Sequence, residues 1–317
     1  MNFELQIVAA LFLDSILGDP RWLPHPVRLI GRLAAWSEKM FRKLVTSERM
    51  AGISTVIFVL LGTGSVGWGM IHLATLVHPR AADLVSIYLL YTCFATRDLI
   101  DHSRKVVAAL RKNDLDKART MVGMIVGRDT IQLDREGVVR ACVESVAENT
   151  VDGVTAPLLW ATIGGPIGAL LYKAVNTMDS VFGYTNEKYL YFGWAPARLD
   201  DLLNWLPARI TGLILVLASL IMRMRPAAAW LVFRRDRMNH ASPNSGHAEA
   251  AVAGALGIRL GGMSMYFGKP VQKPTIGDED CSPHAGHVVQ TQILLVTATI
   301  LTAMLYLGIR MVLSQLF

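Results

Sequence analysis

The stretch Val288–Ile309, "VVQTQILLVTATILTAMLYLGI", carries no charged side chain over 22 residues. The hydrocarbon core of a bilayer, roughly 30 Å thick, requires about 20 mostly apolar residues in a helix. The segment therefore predicts a membrane span, and the remaining sequence is read outward from it. Met50–His78 is equally free of Asp, Glu, Lys and Arg, and Leu202–Met222 is interrupted only by Arg209. Ala82–Thr96 is shorter, able to continue past Arg97 as an amphipathic helix. The intervening "HPRAA" reads as a tight turn closing a helical hairpin. Gly153–Tyr172 is uncharged but contains Pro157, Gly164, Gly165 and Pro166. Breaks of that kind are tolerated in a membrane where the backbone is buried in protein or lines a cavity.

These segments predict an all-α, polytopic helical membrane protein with five spans, or six if the N-terminal helix also inserts. That helix, "MNFELQIVAALFLDSILGD" (Met1–Asp19), holds Glu4 and Asp14 and lacks a basic start or a small-x-small cleavage site. It reads as retained, not as a cleaved signal. One integral-membrane catalytic domain over 1–317 is expected, with polar, partly helical loops at 18–49, 97–152 and 223–287. Composition agrees: 52% hydrophobic and 18% charged residues, with mean hydropathy +0.38, are too apolar for an ordinary soluble domain.

The net charge of +6 is explained by basic loops held on the cytoplasmic side, so no nucleic-acid partner is expected. A basic face also suits an anionic substrate. The hairpin places the first two polar loops on one side. If Gly153–Tyr172 and Leu202–Met222 both cross, the third loop joins them; a re-entrant Gly153–Tyr172 is the alternative. Cys93, Cys142 and Cys281 form no CxxC pair, which indicates neither a disulfide framework nor a thiolate metal site. "CSPHAGH" (Cys281–His287) has ligand-like spacing but reads as a polar loop before a span. "GTGSVG" (Gly62–Gly67) matches a dinucleotide-loop pattern without the preceding strand that would confirm it; small residues for close helix packing explain it better. Arg97–Lys117 reads as an amphipathic helix, and "GRDT" as a helix start capped by Asp129.

The chemistry-bearing stretch is Arg140–Trp160, "RACVESVAENTVDGVTAPLLW". Glu144, Glu148 and Asp152 recur every fourth residue, on one helical face, directly before apolar sequence. A solvated face with Arg140 paired to Glu144 is the ordinary reading. Ionisable groups against a membrane run point instead to function, and stacked carboxylates suit Mg²⁺, which takes one or two of them together with phosphate oxygens. Asn149 lies within the same stretch. Farther on, Lys173, Asn176 and Asp179 recur at threes, and Arg198, Asp200 and Asp201 precede the next apolar run. In "GDPRWLPHPVRLIGR" three prolines rigidify the chain around Asp19, His25 and Arg28. In "SPNSGHAEAAVAGALGIRLGG", Asn244, His247 and Glu249 sit at a predicted helix start, where anions are favoured.

These four stretches, in this order up to about Gly262, resemble the CobD/CbiB family, the adenosylcobinamide-phosphate synthases of cobalamin biosynthesis. The resemblance implies a multi-pass enzyme of the bacterial inner membrane, its active site facing the cytoplasm. It implies an ATP-dependent amide ligase joining the corrinoid adenosylcobyric acid to (R)-1-aminopropan-2-ol or its O-phosphate, with ATP and Mg²⁺, and association with other cobalamin-assembly enzymes. A free carboxylate has no useful leaving group, so conversion to an acyl phosphate is the expected route. That step needs Mg²⁺ and cations around the transferred phosphoryl group. On this reading Glu144, Glu148, Asp152 and Asp179 carry the metal. Lys173, Arg198 and Arg28 meet phosphate oxygens, and His25, His247 or Glu249 deprotonates the amine. Asp19, Asn149, Asn176, Asp200, Asp201 and Asn244 contact substrate or nucleotide. A membrane transporter, a Mg²⁺-dependent membrane transferase and a non-catalytic scaffold are the rival readings from the residues alone.

Overall fold

The computed structural model describes residues 1–316 apart from positions 21, 185 and 267, with side chains through residue 312. The chain is a helical membrane protein. Among the described residues, four helical runs are long and apolar enough to cross a bilayer. They are α3 (Glu48–Val77), the run Arg135–Phe182, α9 (Trp194–Ile221) and α12 (Ala285–Leu316). Five were expected, and the difference lies in the hairpin. His78 breaks the chain, Pro79 opens α4 (Pro79–Tyr91), and the His78 ring accepts the Arg80 N–H as a cap. With 13 residues, α4 reaches only about 20 Å. The N-terminal helix α1 (Phe3–Leu17) has 15 residues and is similarly short.

Contacts divide the chain into two compact units. Unit 1 comprises residues 1–95, 156–204 and 306–317. Its core joins α2 (Pro26–Leu44), α3 and α8 (Ala156–Phe182) through Ile30, Ala34, Ala51, Val56, Val59, Ala174, Met178 and Phe182. Along α3, Ile57, Leu61, Trp68 and Leu73 are exposed while Gly52, Thr55, Val59, Thr63 and Gly67 are buried. Large apolar groups outward and small ones inward is the pattern of a helix solvated by lipid. At Gly67 any side chain would press on Ile167 and Leu170, so the glycines of "GTGSVG" serve helix packing.

The interrupted span is real. Helix α7 (Arg135–Thr150) passes through a π turn at Val151–Thr155 into α8. Helix α8 itself kinks at Gly165, where φ is +59°, immediately before Pro166. Proline cannot donate the helical N–H bond, and glycine adopts positive φ without strain.

Unit 2 comprises residues 96–155 and 205–305. It holds α5 (Thr96–Arg111), α6 (Leu115–Val122), α7, α10 (Pro226–Asp236) and α11 (Ser245–Leu256). An antiparallel hairpin, β1 (Leu260–Tyr266) with β2 (Lys269–Ile276), follows α11 inside the 223–287 loop, where only helix was anticipated. Asp129 starts no helix. Its carboxylate accepts the Gly268 N–H at the hairpin turn, 2.7 Å, and Asp134 caps α7 instead. Every residue of α11 is buried, a consequence of its Ala/Gly composition. At Gly254 any Cβ would collide with the Ala228 carbonyl of α10.

Candidate functional site

The densest gathering of ionisable side chains in unit 2 forms where α7 faces α11 and the hairpin. Glu144 lies on the inner face of α7 and is buried. Arg128, from the loop before α7, pairs with it, and the Gly261 N–H donates to its other oxygen at 2.7 Å. Arg128 also donates to the Ser264 hydroxyl, 3.2 Å. One turn on, Glu148 is half-buried and accepts the Ser245 hydroxyl, 2.8 Å. Glu249 comes from α11 and is buried close to both. Burial, and then the charges of Glu144 and Glu148, push its carboxyl well above the ordinary range, with Lys273 and Arg128 opposing.

His240 completes this group. Its Nε2 lies 3.8 Å from Glu249 Oε1, and its Nδ1 accepts the Ser242 N–H at 3.0 Å. Nδ1 is thereby an acceptor, which puts the neutral ring's proton on Nε2, facing Glu249. Burial holds this imidazole below its usual pKa, so the neutral form dominates.

The acids do not all stack as spacing alone implies. Asp152 sits in the π turn, which takes more residues per turn than an α-helix and ends the strict four-residue register. Among the described residues, no group of three or more His, Cys, Asp and Glu is placed to hold a metal ion. Mg²⁺ requires less, because one or two carboxylates with phosphate oxygens suffice. Glu144 is committed to Arg128, and the half-buried Glu148 and Asp152 carry hard carboxylate oxygens of the kind Mg²⁺ takes. Asn149 turns back on its own helix, donating to the Ser145 carbonyl at 2.9 Å.

His247 is two residues from Glu249 on α11 and points elsewhere. Its ring meets Phe233 edge-on, and it lines a separate cavity with Arg209 and Arg237. Burial first, then the Arg209 guanidinium, lowers it to about 4. Asn244 caps no backbone group with its side chain; Arg209 donates to its Oδ1 at 3.4 Å.

The remaining expected residues belong to unit 1. Asp19 pairs with Arg28 at 3.1 Å and with His25 at 3.6 Å. Tyr172, Asn204, Asp200 and Asn176 form a buried chain with steps of 2.8, 2.9 and 3.2 Å, and Lys173 reaches Asn176 at 3.4 Å. Arg198, Asp200 and Asp201 lie on the opening turns of α9, which begins at Trp194, ahead of its apolar run. Arg198 is largely exposed and lies 3.8 Å from Asp201. Asp179 sits near the end of α8, its carbonyl accepting the Gly183 N–H at 2.6 Å.

Sequence reasoning passed over Arg128, His240, Ser245 and Lys273. Arg128 was read only as part of "GRDT". His240 stands two residues before the quoted "SPNSGH", so extending that window would have found it.

With this geometry in hand, comparison with known proteins is informative. The model of the family described as CobD/Cbib protein matches residues 7–296. The chain belongs to the CobD/CbiB family. The protein called cobalamin biosynthesis protein CobD in Geobacter metallireducens is 53% identical over 272 residues, 86% of each chain. The same-named protein of Leptospira interrogans is 48% identical over 301 residues, 95% of this chain and 96% of its own. That of Clostridium perfringens is 46% identical over 311 residues, 98% and 99%. No solved structure matches. The stretch shared with the CobD/CbiB family holds every side chain described above in both units.

Proposed function

We propose that this chain is the amide ligase of its family, joining adenosylcobyric acid to (R)-1-aminopropan-2-ol or its O-phosphate at the expense of ATP. The observation that carries the reading is the enclosed Glu144–Glu148–Glu249 group, with Arg128, Lys273 and His240 packed around it. Three carboxylates in one enclosure are costly unless cations or protons are handled there. Glu148 and Asp152 would hold Mg²⁺, which when bound neutralises charge on the transferred phosphoryl group.

In the first step a propionate oxygen of the corrinoid attacks the γ-phosphorus, and ADP leaves. In the second the amine attacks the acyl carbon, and phosphate departs with one former carboxylate oxygen. Lys273 is proposed to meet phosphate oxygens, and Arg128 to hold Glu144. Glu249, whose Oε1 lies 3.8 Å from Nε2 of His240, takes the proton that the attacking amine releases. Its raised proton affinity suits that task near neutral pH. Within unit 1 by itself, Lys173 beside Asn176 and Asp200, and Arg28 beside Asp19 and His25, are proposed to bind anionic groups. The site is proposed to open to the cytoplasm of a bacterial inner membrane, where ATP is found and where the basic loops favour that side. Association with other cobalamin-assembly enzymes is part of the same proposal.

The test is incubation of the purified protein with adenosylcobyric acid, each amine and ATP·Mg²⁺, with products read by mass. Expected is a corrinoid heavier by the amine less one water, formed only with ATP. Corrinoid labelled with ¹⁸O in the propionate should release labelled phosphate. An unchanged corrinoid with both amines would overturn the reading.

A further inference from the structure

Behind the acidic group, the opposite face of α11 borders a cavity of about 450 Å³, within the range of small-molecule sites. Its chemistry is the reverse of the first. Three arginines line it: Arg209 from α9, Arg234 from α10 and Arg237 just after α10. None of them is ion-paired with a carboxylate among the described residues. Arg235, between two of them in sequence, pairs with both Asp236 and Asp278, so acids are within reach of this segment and pass these three by.

Aromatic rings hold all three guanidiniums instead, Arg209 lying over Trp205 at 4.3 Å. Arg234 lies over Trp230 at 5.8 Å and Arg237 over Phe233 at 5.5 Å. A guanidinium stacked by its face keeps N–H edges for an oxyanion, the geometry arginine uses for phosphate. The second observation is His247. It is 2% exposed, lines the same cavity, and its Nδ1 has no hydrogen-bond partner. A buried imidazole nitrogen without a partner is costly, and it lies on a residue that borders this cavity.

We infer that Arg209, Arg234, Arg237 and His247 form a second site in unit 2, one that binds a phosphate-bearing ligand separately from the acidic group. The ligand's class is a phosphate ester or polyphosphate, whether a soluble nucleotide or the headgroup of an anionic lipid. The inference goes beyond the ligase reading and does not depend on it.

The experiment measures binding of tripolyphosphate and of ATP to the full-length protein in nanodiscs of zwitterionic lipid. The same titrations are run on the double variant Arg209→Gln/Arg237→Gln. Wild type should bind at least one probe, and the variant at least tenfold more weakly. A parallel set uses nanodiscs containing phosphatidylglycerol. Competition with the soluble probes in wild type, lost in the variant, would identify a lipid headgroup as the natural source; absence of competition would identify a soluble phosphate. If the double variant does not fold, the exposed Arg234→Gln alone should weaken binding severalfold. Equal affinity of wild type and a folded variant for every probe, or no binding of any probe by wild type, would overturn the inference. No readout involves amide formation, so this site and the ligase reading can fail independently.

Discussion

The two faces of α11 differ as sharply as any two surfaces in the molecule. Glu249 and His247 are two residues apart, about 200° around the helix, and their surroundings shift the two in opposite directions. Toward Glu249 come Glu144 and Glu148, which push its proton affinity up. Toward His247 come Arg209 and Arg237, which push its proton affinity down. A short Ala/Gly-rich helix that carries Glu249 on one face and His247 on the other separates an acidic group from a basic cavity.

The comparison can be broken from either side. The largest effect is expected at Glu249→Gln, which removes the proton acceptor on the acidic face. Product formation should fall about 100-fold or more, chiefly in kcat, whereas KM for ATP should change little. Next in size is Arg128→Met. It strands the buried Glu144 without its cation, at about 3–5 kcal/mol. A lower thermal midpoint should result, restored in part by adding Glu144→Gln. Gly165→Ala forces a Cβ onto positive φ with ψ near −152° and should cost about 1–3 kcal/mol, visible as a smaller drop in midpoint.

The basic face yields the smallest effect, one of pH. The imidazole of His247 is lowered from 6.5 to about 4. Above pH 6.5 it is neutral folded or unfolded. As pH falls through that value the unfolded chain takes up a proton that the folded chain refuses, so stability drops between 6.5 and about 4. His247→Gln should flatten that segment of the midpoint-against-pH curve. An unaltered curve would mean that folding, through burial first and then the Arg209 guanidinium, does not lower this residue's proton affinity.

Much of this was legible in the sequence. Uncharged runs and interrupting glycines and prolines identified the membrane helices and the kink at Gly165–Pro166, because lipid allows few alternatives. Spacing on α7 also found Glu144 and Glu148. It does not show that Asp152 lies in a π turn, which no marker in composition announces. It failed too at Asp129, whose cap-like context serves a β-turn 139 residues away. The partners Arg128, His240 and Lys273 lie on loops and a strand that meet α7 only after folding, and no local pattern announces them. Nor does periodicity show that His247 and Glu249, adjacent in one motif, face environments of opposite charge.

The central claim is that the acidic face of α11 is where the chemistry happens. The most direct test compares wild type with Glu148→Gln, at equal amounts of membrane-inserted protein, for ATP·Mg²⁺-dependent joining of aminopropanol to adenosylcobyric acid, read by mass. Wild-type product with none from the variant is the predicted result. Undiminished product from Glu148→Gln would contradict the account.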